Sequence, residues 1–344
     1  FQGTFDGMNA FVDYFNSTSS ICGRKLKLLT YDSGLSATGS HDASAAACAN
    51  AFAAVGSESA FDSGGADVTA SCGEPDIRNQ AVETARQQAS TTIQVSPINT
   101  AHMFTAPWVW AKQRFGSAIK KAAFVYLNAG ASETIAQSIM RATSQQLGYN
   151  WVQTIVVDIA GVPNWNAYAN QLKSAGVQFV QTNLGPDNVQ LRQGFQQAGY
   201  NPIYMADGSA YGPQLSTGSA GSTMKGAYAY SATALFSDAS RIPELQTAMT
   251  WIARTGGHAG DAYALQSWAA GELFVQQALK LGGSLTRASL LSALRGVHSF
   301  NGNGIITPSN PGSGMTAPCV SVVQFNGSGF TRVSPFPYTC GPLG

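Results

Sequence analysis

Hydrophobic positions along this chain fall into two alternating kinds of run. Short blocks rich in β-branched and aromatic residues, bounded by Gly, Pro or Asn, predict buried strands. Longer blocks with apolar residues at helical spacing predict amphipathic helices. Residues 176–200 show the unit. Val177-Gln178-Phe179-Val180-Gln181 predicts a strand and Asn183-Leu184-Gly185-Pro186 stops it. Asp187 to Gln197 then predicts a helix, with Val189, Leu191, Phe195 and the following Ala198 near one face. Asp187 stands early enough to favour the positive end of that helix. Strand, loop and helix make half of a βαβ unit. Open α/β sheets hold ligands at the carboxyl ends of their strands, so Asn183 to Asp187 is a candidate ligand loop.

The alternation recurs. A helix is predicted over Phe5 to Phe15, a strand over Leu26 to Tyr31, a helix over Asp42 to Phe52 and a strand over Phe52 to Val55. A helix over Gly65 to Ser71 and a short strand around Pro75 to Arg78 follow, then a helix over Pro107 to Phe115. The second series has strands at Ala122 to Leu127, Val152 to Val157 and Pro202 to Ala206, with helices at Glu133 to Leu147 and Trp165 to Ala175. Such alternation implies parallel sheets with helices on both faces, and two series imply two sheets. After a strand at Ala227 to Ala234 the pattern turns helical: Ile242 to Arg254, Ala262 to Leu281 and Thr286 to Arg295. Gly302-Asn303-Gly304 and Pro308 to Gly314 then punctuate an extended tail.

With 344 residues the chain exceeds one ordinary core and suits two domains. Charged residues are only 11%, so the surface is polar but weakly charged. A net charge of +1 without a Lys/Arg run argues against nucleic acid or an anionic membrane as the main partner. No stretch is apolar for long enough to span a bilayer. No signal peptide is visible, and an opening at Phe1 rather than Met reads as a trimmed mature fragment, while Cys340-Gly341-Pro342-Leu343-Gly344 reads as a natural end.

The five cysteines show no CxxC spacing and no neighbouring His cluster, which argues against zinc. Cys319 and Cys340 flank the strand Val320 to Phe325 and the turn Asn326-Gly327-Ser328-Gly329. A bridge between them would clamp a C-terminal hairpin and imply an oxidising compartment. Cys48 and Cys72 each lie near a helix end; if those helices are neighbours on one sheet face, the sulfurs meet. Cys22 is then unpaired or a competitor for one of them, and a buried free thiol fits it best.

Three stretches together carry a resemblance: Phe5-Asp6-Gly7-Met8-Asn9-Ala10, Gly23 to Asp32, and Phe52-Ala53-Ala54-Val55-Gly56. Lys120-Lys121-Ala122-Ala123, Gln171 to Val177, Phe195 to Tyr200 and Phe300 to Gly304 agree with it in order and spacing. Over nearly its whole length the chain resembles the type I periplasmic binding proteins. More narrowly, it is similar to the branched-chain amino acid class of ABC-importer solute receptors found in actinobacteria. The resemblance implies an α/β, two-lobed clamshell of the Venus-flytrap kind, each lobe a mainly parallel sheet with helices on both faces. Lobe I would hold residues 1–92 and 234–305, and lobe II residues 93–233 and 306–344. The three inter-lobe crossovers would fall near Thr92 to Ser96, Tyr230 to Thr233 and Ile305 to Pro311.

The implied function is a monomeric extracytoplasmic receptor, secreted, periplasmic or lipid-anchored. It would bind a small organic ligand, an amino acid or related carboxylate, in the inter-lobe cleft by hinge closure and dock on ABC permease subunits, without cofactor or catalysis. Ligand contacts carried over by register are Ser59-Ala60-Phe61 and Ala81-Val82-Glu83 for a carboxylate, and Asp207-Gly208-Ser209, shifted by one position, for an ammonium. Positions often aromatic in the second lobe are here small and polar, at Asn128 and Ala129 to Ala131 and at Asn183, Leu184 and Gly185. The family's first strand would precede the helix at Phe5, and no residue here supplies it; without it the core of the first lobe is exposed.

Each candidate side chain also has a plainer reading. Asp207 is either a ligand acceptor or a helix cap. Ser59 beside Phe61 is either a ligand wall or a βα turn. Glu58 and Glu83 either line the cleft or are solvated. Phe104, Trp108 and Phe115 recur at helical spacing and read as core rather than an aromatic box. There is no GxSxG, HExxH, GxxxxGK[ST] or strand-linked GxGxxG, and His41, His102, His258 and His298 lie far apart, so a hydrolase reading has little support. A sensing ectodomain of the same fold is the nearer alternative; a transmembrane helix and signalling domain after Gly344 would select it.

Overall fold

The computed structural model describes residues 1–162 and 164–344. The chain forms two compact units, unit 1 from residues 1–100 and 233–317 and unit 2 from residues 101–232 and 318–344. It therefore passes from one unit to the other at 100/101, 232/233 and 317/318.

Unit 1 opens with α1 (Gln2–Thr18) and α2 (Ala37–Asn50), followed by β1 (Ala54–Ser57), α3 (Ala66–Cys72), β2 (Asp76–Arg78), α4 (Thr84–Gln88) and β3 (Thr92–Gln94). The three strands form a parallel sheet in the order β1-β2-β3, with Val55, Ile77 and Ile93 in register. Met8, Phe11, Val12 and Phe15 recur at i, i+3, i+4 and i+7 and bury one face of α1. Each such large side chain stabilises the fold by roughly 1.5–3 kcal/mol.

Unit 2 continues with α5 (Ala106–Phe115), β4 (Ala122–Leu127), α6 (Gly130–Leu147), β5 (Trp151–Val157), α7 (Trp165–Ser174) and β6 (Phe179–Asn183). Next come α8 (Asn188–Gln197), β7 (Ile203–Met205), α9 (Pro213–Ser216), α10 (Gly218–Met224) and β8 (Tyr228–Ser231). β4 and β6 are buried on both sides; β4 accordingly reads as a near-continuous apolar run, whereas β6 also buries Gln181 and Thr182, each held by a side-chain hydrogen bond. Trp108 is fully buried, donates to Gln181 Oε1 at 2.9 Å and stacks on Phe104, so the aromatic cluster is core.

The chain returns to unit 1 as α11 (Pro243–Arg254), α12 (Ala262–Leu281) and α13 (Arg287–Arg295). α12 is buried along most of its length and lies directly against α1. A Cβ on Gly7 would sit 2.2 Å from the Ala264 carbonyl oxygen, so glycine there lets the two helices approach backbone to backbone. The chain ends in unit 2 with β9 (Cys319–Phe325), β10 (Phe330–Arg332) and β11 (Thr339–Cys340). The unit 2 sheet runs β10-β9-β8-β7-β6-β4-β5, parallel from β8 to β5, antiparallel at β8–β9 and β9–β10, with β11 paired to β9.

Both expected bridges are present, Cys48–Cys72 joining α2 to α3 and Cys319–Cys340 joining β9 to β11. Three expectations need correcting. Cys22 is free but exposed, because it sits in a tight turn closed by reciprocal Ile21–Arg24 backbone bonds. Residues 93–100 and 306–317 stay with unit 1 rather than joining the second lobe. The Val95 and Ser96 amides extend the β2–β3 ladder onto Arg78 and Asn79, and the Ala317 amide bonds Pro97. Leu26 to Tyr31 is extended, as its composition predicts, but pairs with no strand.

Candidate functional site

In unit 1 the carboxyl ends of β1 and β2 carry the residues singled out from sequence. Ser59 is buried; its Oγ accepts the Phe61 amide at 3.2 Å and lies 3.4 Å from Ser33 Oγ. Ala60 and Phe61 are half-buried. Ala81 and Val82 are buried, and their amides already have partners inside the unit. The Ala81 amide donates to Gln94 Oε1 at 2.8 Å, and those of Val82 and Glu83 donate to the Asp62 carboxylate at 2.9 and 3.1 Å. Glu83 in turn accepts the Ser63 amide at 2.8 Å. A side chain of the protein thus occupies the paired amides that the resemblance assigns to a ligand carboxylate.

Beneath these loops lies a charged cluster. Asp76 on β2 accepts from Ser57 Oγ at 2.6 Å, Arg78 at 3.2 Å and Arg86 at 2.9 Å. Burial alone would raise its pKa, but Arg78 and then Arg86 outweigh burial and hold the carboxyl below the usual range. Glu58 goes the other way: burial pushes it up to about 8, against the pull of Arg78, so it carries a proton at neutral pH. Glu58 Oε2 and Arg78 Nη2 are buried without hydrogen-bond partners. Sequence reading weighed Glu58 only as a cleft-lining or solvated acid and missed Asp62, Asp76 and Arg78. The available signal was the Asp76-Ile77-Arg78 alternation, two opposite charges on one face of a short strand.

In unit 2 the loops after β6 and β7 are neighbours because those strands pair. Asn188 fixes the first loop: its Oδ1 accepts from Thr182 Oγ1 at 2.6 Å and Tyr204 Oη at 2.7 Å, and its Nδ2 donates to the Gly185 carbonyl at 2.7 Å. Asn183 is half-buried, with its Oδ1 3.5 Å from Ser132 Oγ, while the Leu184 side chain is fully enclosed and offers only backbone to a ligand. Asp207 follows β7. Its Oδ1 accepts the Ser209 amide at 2.8 Å, whereas its Oδ2 and Ser209 Oγ are buried without partners. Asp207 therefore does cap a short turn, yet half of its carboxyl is unengaged. Burial raises its proton affinity, offset first by the Ser209 side chain and then by the Ser209 amide. Tyr230 on β8, not anticipated from sequence, lies close enough for burial and then the Asp207 charge to raise its hydroxyl well above the usual range.

Asn128 and Ala129 follow β4. Asn128 is exposed and its Oδ1 accepts the Ile159 amide at 2.9 Å; Ala129 is buried. Among the described residues the only cluster of metal-type donors is Cys48, Cys72 and Glu74, and its two sulfurs are bonded to each other. No helix of the described residues is long and apolar enough to cross a membrane.

Comparison with known proteins gives this geometry a context. The family model described as "Periplasmic binding protein" matches residues 1–329. No curated protein sequence matches the chain. Among solved structures, the chain is similar to a fatty acid ABC transporter substrate-binding protein from Thermomonospora curvata, with a TM-score of 0.80 and 18% identity over 97% of this chain and 87% of that one. It is also similar to an ABC transporter solute-binding protein from R. palustris in complex with benzoate, with a TM-score of 0.81 and 14% identity over 100% and 92% of the two chains. A third is the branched-chain amino acid transporter substrate-binding protein LivJ from Streptococcus pneumoniae in complex with isoleucine, with a TM-score of 0.78 and 12% identity over 96% and 94%.

Proposed function

Because the chain belongs to the periplasmic binding protein family, we propose that it is the extracytoplasmic solute receptor of an ABC importer. On this reading it binds a small organic ligand, an amino acid or a related carboxylate, through the carboxyl-edge loops of its units and hands it unchanged to permease subunits. The observation that carries this is the buried pair Asp207 Oδ2 and Ser209 Oγ, both without partners at the carboxyl edge of β7. Buried polar atoms are almost always hydrogen-bonded, and a ligand donor is the natural partner where open α/β sheets place their ligands.

The three similar structures are named for a fatty acid, benzoate and isoleucine, molecules that share a carboxylate and little else. In this chain the Val82 and Glu83 amides are engaged by Asp62, so the reading assigns carboxylate recognition to the Ser59 hydroxyl and to Arg78, whose Nη2 makes no hydrogen bond and lies 3.7 Å from Asp62 Oδ2. In unit 2 the reading assigns Asp207 as the acceptor for a ligand amine or hydroxyl.

Native mass spectrometry of the purified protein against its denatured mass tests for a co-purified solute, followed by a thermal-shift panel of amino acids, aromatic acids and fatty acids. A ligand at about 100 times its Kd stabilises the protein by about 2.7 kcal/mol. Asp207→Asn and Ser59→Ala should each weaken the responding ligand while leaving the ligand-free melting temperature nearly unchanged. No adduct and no shift across the panel would remove the receptor reading.

A further inference from the structure

The small net charge of the chain is the sum of two opposite ones. Unit 1 holds ten Lys or Arg against fourteen Asp or Glu, and unit 2 holds nine against four. Within unit 2 the two signs are also separated. Glu133 in the first turn of α6 follows β4, Asp158 follows β5, Asp187 follows β6 and Asp207 follows β7. Because β4 to β7 pair in parallel, all four acids fall at the carboxyl edge of the sheet. The amino edge collects cations instead. Lys112 and Arg114 end α5, where Phe115 packs on Tyr228, the first residue of β8. Lys120 and Lys121 lead directly into β4, Lys173 ends α7 ahead of β6, and Lys225 ends α10 ahead of β8. All six are exposed, and none takes part in an ion pair among the described residues. Only Lys120 and Lys121 are adjacent in sequence, so the chain shows no basic run; the parallel topology assembles the patch.

Two of the six have a structural duty. Lys120 Nζ donates to the Gly148 carbonyl and Lys173 Nζ to the Ala198 carbonyl, both at 2.7 Å, at the carboxyl ends of α6 and α8, where the helix dipole favours a cation. The side chains of Lys112, Lys121 and Lys225 make no hydrogen bond among the described residues, so local structure does not account for them. We propose that the amino edge of the unit 2 sheet is a docking face for a bilayer surface rich in anionic lipid. Five of the six cations are lysines. Protein interfaces are depleted in lysine and enriched in arginine, and nucleic-acid recognition draws on arginine forks and aromatic stacking platforms. Compact ammonium groups spread along an edge, with no carboxylate paired among them, match a surface potential, which acts on each charge separately and needs no register. The same potential repels the four acids of the carboxyl edge, so it also orients unit 2. The amino edge faces the lipid and the loops after β6 and β7 turn away from it. A net charge of +1 argues against such a partner only while the charge is taken as evenly spread.

The test is co-sedimentation with vesicles of phosphatidylglycerol and phosphatidylcholine, against vesicles of phosphatidylcholine alone. At about 10 mM salt, where charges act over roughly 30 Å, the bound fraction should be more than about tenfold higher on the anionic vesicles, and near 1 M salt that difference should vanish. The combined variant Lys112→Glu, Lys121→Glu and Lys225→Glu should abolish the binding. Lys27→Glu, Arg254→Glu and Lys280→Glu together make the same change of charge at exposed positions of unit 1 and should retain it. A second measurement needs no variant. Acetylation of the wild-type amines by a succinimidyl ester, read by mass spectrometry, should be slowed by the anionic vesicles at Lys112, Lys121 and Lys225 and unchanged at Lys27 and Lys280. Equal loss of binding in the two variants, equal binding to neutral vesicles, or equal protection of Lys27 and Lys280 overturns the proposal. Binding of polyglutamate without binding to vesicles also overturns it, because the face would then fit an acidic protein.

Discussion

Arg86 offers the sharpest check on the charged cluster of unit 1. Its side chain is 1% exposed; Nε donates to the Asp62 carbonyl at 2.9 Å, and Nη1 to Thr69 Oγ1 at 2.8 Å and Asp76 Oδ2 at 2.9 Å. Arg86→Met retains most of the stem and removes all three bonds. Replacing one member of a buried pair leaves the other charge uncompensated, at about 3–5 kcal/mol. Against a total stability of about 5–15 kcal/mol that is a large fraction. Arg78 still bonds Asp76 at 3.2 Å, which places the expected loss near the lower end. Urea unfolding at pH 7, followed by exchange at the β2 amides, reads the loss in unit 1. The variant also predicts a pH signature. Arg86 helps hold Asp76 below its ordinary value, so its removal raises the folded-state value, and the deficit relative to wild type should shrink as pH falls and Asp76 takes up a proton. In an Asp76→Asn background the cost of losing Arg86 should fall by more than half. A loss below about 1 kcal/mol, independent of pH, would refute the view that this cluster is held by paired charge rather than by packing alone.

Two further predictions follow from the same kind of reasoning. Burial, together with neighbouring Glu244, raises Glu272 to about 8, burial raises Glu58 to about 8, and burial followed by Asp76 raises Glu74 to about 7. These folded-state values lie above the ordinary 4.5, so the stability they contribute is fully present below that pH and is lost as pH rises through 7 to 8. Melting curves between about pH 5 and 9 should show that decline, and Glu272→Gln should flatten part of it; a melting temperature that rises toward alkaline pH contradicts the assignment. Asn188→Ala removes the three bonds that fix the loop after β6, so binding of the ligand found by thermal shift should weaken by about tenfold or more, with a smaller change in melting temperature. A pure stability loss with unaltered affinity would separate that loop from the site.

Periodicity was enough to place most of the elements because each has its own local cause. β4 and β6 read as strands because both faces are covered, and α12 reads as a helix of 20 residues because it is enclosed by its neighbours. The limits of local pattern appear at Leu26 to Tyr31, where the composition is that of a strand but a strand exists only with a partner. They appear again at the unit boundaries. The β3 ladder is prolonged by Val95 and Ser96 through bonds to residues far away in sequence, and nothing in their own neighbourhood announces it.

The site was legible by position and not by bonding. Asp207, Ser59 and Asn183 follow strands, and a βα pattern is enough to place them at the carboxyl edge. Which of their atoms are open depends on residues about twenty positions away: Asp62 reaches the amides of Val82 and Glu83, so those donors are closed to any ligand, whereas Asp207 accepts the Ser209 amide of its own turn at Oδ1 and its Oδ2 makes no hydrogen bond. The two carboxyls are alike in sequence context, each followed by a small residue or turn. What separates them is that one closes a contact between two loops and the other caps its own turn. Burying an unengaged carboxyl oxygen is unfavourable unless something completes it. Asp207→Ala should therefore be nearly neutral, or slightly stabilising, in the ligand-free protein, whereas Asp62→Ala should destabilise unit 1 by about 1–3 kcal/mol or more by freeing two buried amides. Equal losses for the two variants in urea unfolding would mean that Asp207 is as fully engaged as Asp62, and the case for a ligand partner at its Oδ2 would fall with it.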